Sequence, residues 1–377
     1  MILDHVESPG EAGPNLADGG LPKRAGEKAR AQHGSKGRLC ASKSFAMGSR
    51  NPEEAFRIGI DLMGCDTQPE QIALAIADLM PDLPPSFSVV LLGTPLTLPA
   101  HPRIEYFLAE EFISMDEDPL HAIRRKKNSS ICQGIQMLRA KEIQAFISAG
   151  NTGALIASAT LSLSKLPGIQ RPALLTLLPT SGMQSVAVLD VGANPTAKAE
   201  HLLQYASMGL AFQKSAGIEN PTVGLLNIGT EAGKGTPEVR EAYSKLTSLN
   251  AADPSRPTFI GNVEGRDAFN GHVDVIVTDG FTGNIFLKTA EGIASFILSQ
   301  IESSTAENKD ASHLSDLLSG LRKRLYYAEY PGAVVCGIEG IVMKCHGDGK
   351  PSAFRESLKE TCRLLENDFL TKIKDSF

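Results

Sequence analysis

The chain has no tryptophan among its 377 residues, and only 6% are aromatic. That leaves little material for the stacked-ring platforms that hold single-stranded RNA or sugars. The formal net charge is −6, so nothing global favours nucleic acid, and any basic patch must be local. C-x-x-C and H-E-x-x-H are both missing, which removes the usual zinc spacings, and no metal is expected. The six cysteines, at 40, 65, 132, 336, 345 and 362, read as reduced thiols of a cytoplasmic protein. No uninterrupted apolar run reaches the roughly 18 residues of a membrane span. The N-terminus carries Asp4, Glu7 and Glu11 without an apolar core, unlike a secretory signal. Neither G-x-x-x-x-G-K-[ST] nor a G-x-G-x-x-G after the first strand is present, so no nucleotide cofactor is expected.

Residues 1–55 are rich in Gly, Ala, Ser and Lys/Arg. They have too little apolar material to offset the entropy of ordering and are expected to form a disordered extension. From residue 56 to 377 the texture is that of a single α/β domain. Short apolar or β-branched runs at 57–61, 87–92, 145–149, 173–178, 185–191, 223–228 and 273–278 suit strands buried on both faces. Helix-length segments at 69–80, 129–140, 151–165, 199–216, 237–248 and 283–301 lie between many of them, and two runs at 334–338 and 340–345 look like a late hairpin. The alternation predicts a three-layer α/β fold, a mainly parallel sheet with flanking helices.

Four strands run into the same kind of peptide: Ser148–Gly153, Asp190–Asn194, Asn227–Glu231 and Asp279–Asn284. Gly, Asn, Asp and Thr are also ordinary turn and cap residues. Their recurrence at strand ends, with helices opening directly behind, instead predicts a shared site where backbone N–H groups and helix N-termini receive an anion.

The segments Arg124–Ser130, Ser148–Ala154, Arg171–Leu174, Asp190–Asn194 with Lys198, Glu200 and His201, Leu225–Glu231, Phe259–Asp267 and Val277–Gly292 carry a resemblance in order and spacing to the bacterial phosphate acyltransferase family. The resemblance runs from about residue 57 to the C-terminus. It implies a fold similar to isocitrate and isopropylmalate dehydrogenases and phosphotransacetylases, and a homodimer. The implied reaction takes acyl-acyl carrier protein (acyl-ACP) and inorganic phosphate to acyl phosphate and free ACP. A membrane acyltransferase then uses the acyl phosphate in phospholipid synthesis. The chain departs from the family pattern at Cys65, where a glycine is usual, at Pro331, and over Cys345–Lys350.

A thioester is already activated, so the site must hold phosphate, stabilise an oxyanion and release a thiolate. Lys198 is the expected fixed charge, with Asn151 and Asn194 as catalytic donors. Phosphate and substrate binding is expected from Asp61, Gly64, Asp66, Gly150, Thr152, Gly153, Asn227, Gly229, Thr230, Asp279, Gly280, Thr282, Gly283, Asn284 and His346. Asp190 and Asp279 read as orienting groups, and His201 as either a proton donor to the thiolate or a structural residue. Cys65 reads as a small packed residue rather than a nucleophile. Arg124, Arg125, Lys126 and Lys127 are the expected docking face for the acidic ACP. Leu314, Leu317, Leu318, Leu321 and Leu325, with the apolar stretch 285–301, form a helical stripe suited to dimer packing or peripheral membrane contact. Two other readings stay open: a phosphotransacetylase-like enzyme using acyl-CoA, and a non-catalytic anion- or ACP-binding module.

Overall fold

A computed structural model of the protein describes residues 56–96, 100–182, 184–252, 258–306, 332–345 and 349–377. The predicted extension, His346, Pro331 and the leucine stripe at 314–325 lie outside the described residues.

The strands are β1 (Phe56–Asp61), β2 (Phe87–Gly93), β3 (Ile104–Leu108), β4 (Ala145–Ser148), β5 (Ala173–Pro179), β6 (Ser185–Leu189), β7 (Val223–Leu226), β8 (Phe259–Val263), β9 (Val275–Val277), β10 (Ala333–Cys336) and β11 (Ile341–Lys344). They form one sheet in the order β3-β2-β1-β4-β11-β10-β5-β6-β9-β7-β8. The helices are α1 (Pro69–Leu79), α2 (Pro119–Arg125), α3 (Ser130–Arg139), α4 (Thr152–Ser162), α5 (Ala199–Ser215), α6 (Pro237–Ala252), α7 (Gly280–Ala306), α8 (Pro351–Glu366) and α9 (Phe369–Lys374).

One hydrophobic cluster packs Ile58, Ile60, Leu175, Leu189, Tyr205 and Phe354, and a second packs Val90, Phe146, Leu174, Val188 and Val342. Neighbouring residues of one strand, such as Leu174 and Leu175, fall in different clusters. The sheet is therefore apolar on both faces, and that is why its central strands read as unbroken apolar runs. The three-layer α/β expectation is met.

Strand direction divides the sheet. β3, β2, β1, β4 and β11 are mutually parallel. The pairs β11–β10, β10–β5 and β5–β6 are antiparallel, and β6, β9, β7 and β8 are again parallel to one another. Three successive reversals leave the two parallel blocks pointing opposite ways. The predicted hairpin β10–β11 forms, and it sits in the middle of the sheet.

Candidate functional site

The reversal corrects the expectation of one shared edge. The carboxyl ends of β1, β4 and β11 open on one edge of the sheet, and those of β6, β7 and β9 on the opposite edge. Asp61, Gly64, Asp66, Gly150, Asn151, Thr152 and Gly153 belong to the first edge. Asn194, Lys198, Asn227, Gly229, Thr230, Asp279, Gly280, Thr282, Gly283 and Asn284 belong to the second.

On the first edge the polar groups bond to one another. Asp61 is fully buried; its Oδ2 accepts from Ser148 Oγ at 2.7 Å and its Oδ1 from the Met63 N–H at 2.9 Å. Burial raises its pKa to about 6 against those bonds. Ser148 Oγ also accepts the Gly150 N–H at 3.0 Å. Lys344, at the end of β11 and only 6% exposed, donates through Nζ to the Ala149 and Cys345 carbonyls. Burial lowers its pKa to about 8. Sequence reasoning missed Lys344; the signal available was a lysine closing an otherwise apolar run.

Asn151 was expected as a catalytic donor, and its side chain is occupied elsewhere. Its Oδ1 accepts the Ala154 N–H at 2.9 Å, capping α4, and its Nδ2 lies 3.0–3.2 Å from the carbonyls of Ser114, Met115 and Glu117. Gly153 permits close packing, since a Cβ there would lie 2.5 Å from Pro119. Thr152 and Asp66 are exposed. Cys65 is half-buried, and burial raises its thiol pKa, which disfavours a nucleophilic thiolate. Arg124, Arg125 and Lys127 are exposed at the end of α2. Lys126 pairs with Glu117 at 2.7 Å and also donates to the Phe112 carbonyl at 3.0 Å. The basic run thus adjoins the Asn151-held loop of this edge.

The second edge is built around Asp190. Its fully buried carboxylate accepts from the N–H groups of Leu174, Gly192, Ala193 and Asn194 and from Asn194 Nδ2, all at 2.7–3.1 Å. Burial pushes its pKa up and the bonds pull it down. Asn194 Nδ2 also donates to the Pro172 carbonyl at 2.7 Å, so this asparagine ties β5's entry to β6's exit. Asp279 caps α7 by accepting from Thr282 N and Oγ, both at 2.9 Å. Gly280 and Gly283 let α7 press on the Asp190 loop: a Cβ would sit 2.5 Å from the Asn194 carbonyl oxygen and 2.0 Å from the Asp190 one. Asn284 is exposed and faces Gly192. Asn227 closes its own loop by donating to the Lys234 carbonyl at 3.1 Å. Gly229 is buried, and Thr230 is exposed.

Charge is left unspent on this frame. Lys198, the N-cap residue of α5, and Arg171, just before β5, are both exposed and have no carboxylate partner among the described residues. Between them electrostatically lies His201, 5% exposed, whose Nδ1 accepts the Lys198 N–H at 3.2 Å. Burial, then Arg171, then Lys198 lower its pKa. One turn on, Tyr205 has a buried hydroxyl without a partner among the described residues, electrostatically close to Asp190, Arg171 and Asp279. Gln204 Oε1 accepts the Gln170 N–H at 2.8 Å and so steadies the peptide carrying Arg171. Two cations without a carboxylate partner among the described residues thus stand beside the positive end of a 17-residue helix.

Solved structures of similar fold include a phosphotransacetylase from Streptococcus pyogenes, with a TM-score of 0.54 and 13% identity over 85% of this chain and 95% of that one. The phosphotransacetylase EutD from Staphylococcus aureus gives 0.52 and 15%, over 82% and 94%. The architecture is that of a phosphotransacetylase-like α/β protein. The model of the family described as "Fatty acid synthesis protein" matches residues 56–372. Proteins named phosphate acyltransferase are 41% identical in Brevibacillus brevis, over 85% of this chain and 97% of theirs, and 39% identical in an Exiguobacterium species, over 84% and 98%. The chain belongs to this family of phosphate acyltransferases, and it is an acyltransferase.

Proposed function

We propose that the protein transfers a fatty acyl group from acyl-ACP to inorganic phosphate, releasing acyl phosphate for phospholipid synthesis. The observation that carries the reading is Arg171 and Lys198, without a carboxylate partner among the described residues, at the α5 N-terminus beside the Asp190 loop of a family member. Phosphate is already an anionic nucleophile at neutral pH, so two fixed cations and a helix end suffice to hold it in line with a thioester carbonyl. No metal or cofactor enters this reading. Incubation with palmitoyl-ACP and phosphate should yield acyl phosphate and a free ACP thiol in equal amounts; neither product appearing would reject it. The phosphotransacetylase fold favours a second reading, acyl-CoA as donor. Faster turnover of acetyl-CoA than of palmitoyl-ACP would select that one.

ACP docking is assigned to Arg124, Arg125 and Lys127, which are exposed and carry no carboxylate partner among the described residues, while Lys126 is held by Glu117. Reversing Arg124 and Arg125 to Glu should raise KM for acyl-ACP at low salt and leave acyl-CoA turnover unchanged. A homodimer is supported by the exposed Phe281, Ile285, Ile293 and Phe296 on α7. No helix of the described residues is long and apolar enough to cross a membrane. A cytoplasmic protein touching the membrane surface, and handing product to a membrane acyltransferase, accords with this reading.

A further inference from the structure

The imidazole of His201 has one nitrogen already committed. The Lys198 N–H points its hydrogen at Nδ1, across 3.2 Å, so Nδ1 must carry the lone pair. The single proton of the neutral ring is then on Nε2, which has no acceptor among the described residues. Protonating the ring would turn the Nδ1 contact into two opposed N–H groups. We infer that His201 acts as a fixed-tautomer, neutral hydrogen-bond donor, presenting Nε2–H to the acyl carbonyl oxygen as it becomes an oxyanion, and does not serve as the acid for the leaving thiolate.

This inference rests on the acyl-transfer reading above. The charged groups that act on the ring are Arg171, Lys198 and Glu200, and Glu200 is bound to Lys245 at 2.7 Å. The two cations, together with burial, hold the imidazole below its ordinary pKa, in keeping with the geometry. They also divide the labour chemically. Phosphate is charged from the start and suits Arg171 and Lys198. The carbonyl oxygen gains charge only in the transition state, and a neutral donor favours that state over the ground state. The step balances without an enzyme acid. A phosphate oxygen forms the new C–O bond, the carbonyl oxygen takes the electron pair and returns it, and the C–S bond breaks. The proton of hydrogen phosphate ends on the thiol sulfur.

The test compares His201→Gln with His201→Ala in the full chain, with palmitoyl-ACP and phosphate. The glutamine Nε2 places a non-titrating donor close to the imidazole Nε2. His201→Gln should keep kcat within about tenfold of wild type. His201→Ala should lose about 10²–10³-fold in kcat with KM for phosphate little changed, the loss typical of one oxyanion donor. Equal loss in both variants would overturn the inference, as would full activity in His201→Ala. A wild-type chain that forms no acyl phosphate would instead reject the acyl-transfer reading. Because either variant loses the Nδ1 contact, nitrogen-15 spectra of wild-type His201 give an independent readout. An unprotonated Nδ1 and protonated Nε2 at pH 7 are expected, and an imidazolium or the opposite tautomer would refute the inference.

Discussion

The two carboxyl edges of the sheet are written in nearly the same residues and behave differently. At β1–β4–β11 the aspartate, serine, asparagine and lysine satisfy one another and the backbone, and Asp61 and Lys344 are almost sealed from solvent. At β6–β9 a buried aspartate likewise gathers the loop, but Arg171 and Lys198 have no carboxylate partner and His201 Nε2 no acceptor among the described residues. A Gly- and Asn-rich strand end is thus a frame in both places. The difference lies in where the unpaired cations stand: at the N-terminus of the 17-residue α5 on the second edge, and at the C-terminal end of the short α2 beside the first.

The comparison can be broken in four places. The largest effect is expected from Asp190→Ala, which strands five donors around an empty buried position. It should destabilise the fold by about 3–5 kcal/mol in chemical denaturation; a loss below 1 kcal/mol would show that the loop holds itself. Next is Asp61. Its pKa of about 6 lies above the ordinary 3.8, so between these values the folded chain keeps a proton that the unfolded chain has released. Its contribution therefore favours the fold most below pH 4 and is lost as pH rises through 6. The stability of Asp61→Asn relative to wild type should climb by about 3 kcal/mol across that window, and a flat difference would mean that the carboxyl is not desolvated. Lys198→Ala should lower kcat/KM for phosphate about 100-fold, roughly 2.7 kcal/mol, with unchanged thermal stability. Asn151→Ala should do the reverse, costing about 1–2 kcal/mol of stability and little in kcat. A normal melting curve with abolished turnover in Asn151→Ala would place the first edge in the reaction and erase the distinction.

Much of the fold was legible because the central strands are buried on both faces and carry no polar alternation to confuse them. β3 and β8 were not. Both are edge strands; β3 is Ile-Glu-Tyr-Phe-Leu with a partly exposed pattern, and β8 contains Gly261 and Asn262. The short α2 and the helices α8 and α9 were also unassigned. Strand direction is set by pairing: the reversals at β11–β10 and β10–β5 cancel, and the antiparallel β5–β6 pair turns the second block over. That pair is also why three of the four loops share an edge while Ser148–Gly153 does not. Lys198 stands out as a charge behind a Gly-Asn loop, whereas Arg171 is placed by its neighbour Gln170, whose N–H is held by Gln204, 34 residues further on. Asn151 shows the opposite failure, a residue of the right chemistry whose amide is consumed by a loop more than 30 residues earlier.

The central hairpin carries one more consequence, for how the chain is assembled in time. The strands that join β4 to β5 are β11 and β10, drawn from residues 333–344, while β1 to β9 are all encoded before residue 278. A chain emerging from the ribosome therefore holds two half-sheets with open inner edges until about its last eighth is made. Their zippering is a late step of high contact order, of the kind that sets a slow folding rate. A stop codon shortly before residue 333 should give two exposed sheet edges and an aggregating product, rather than a slightly shortened enzyme.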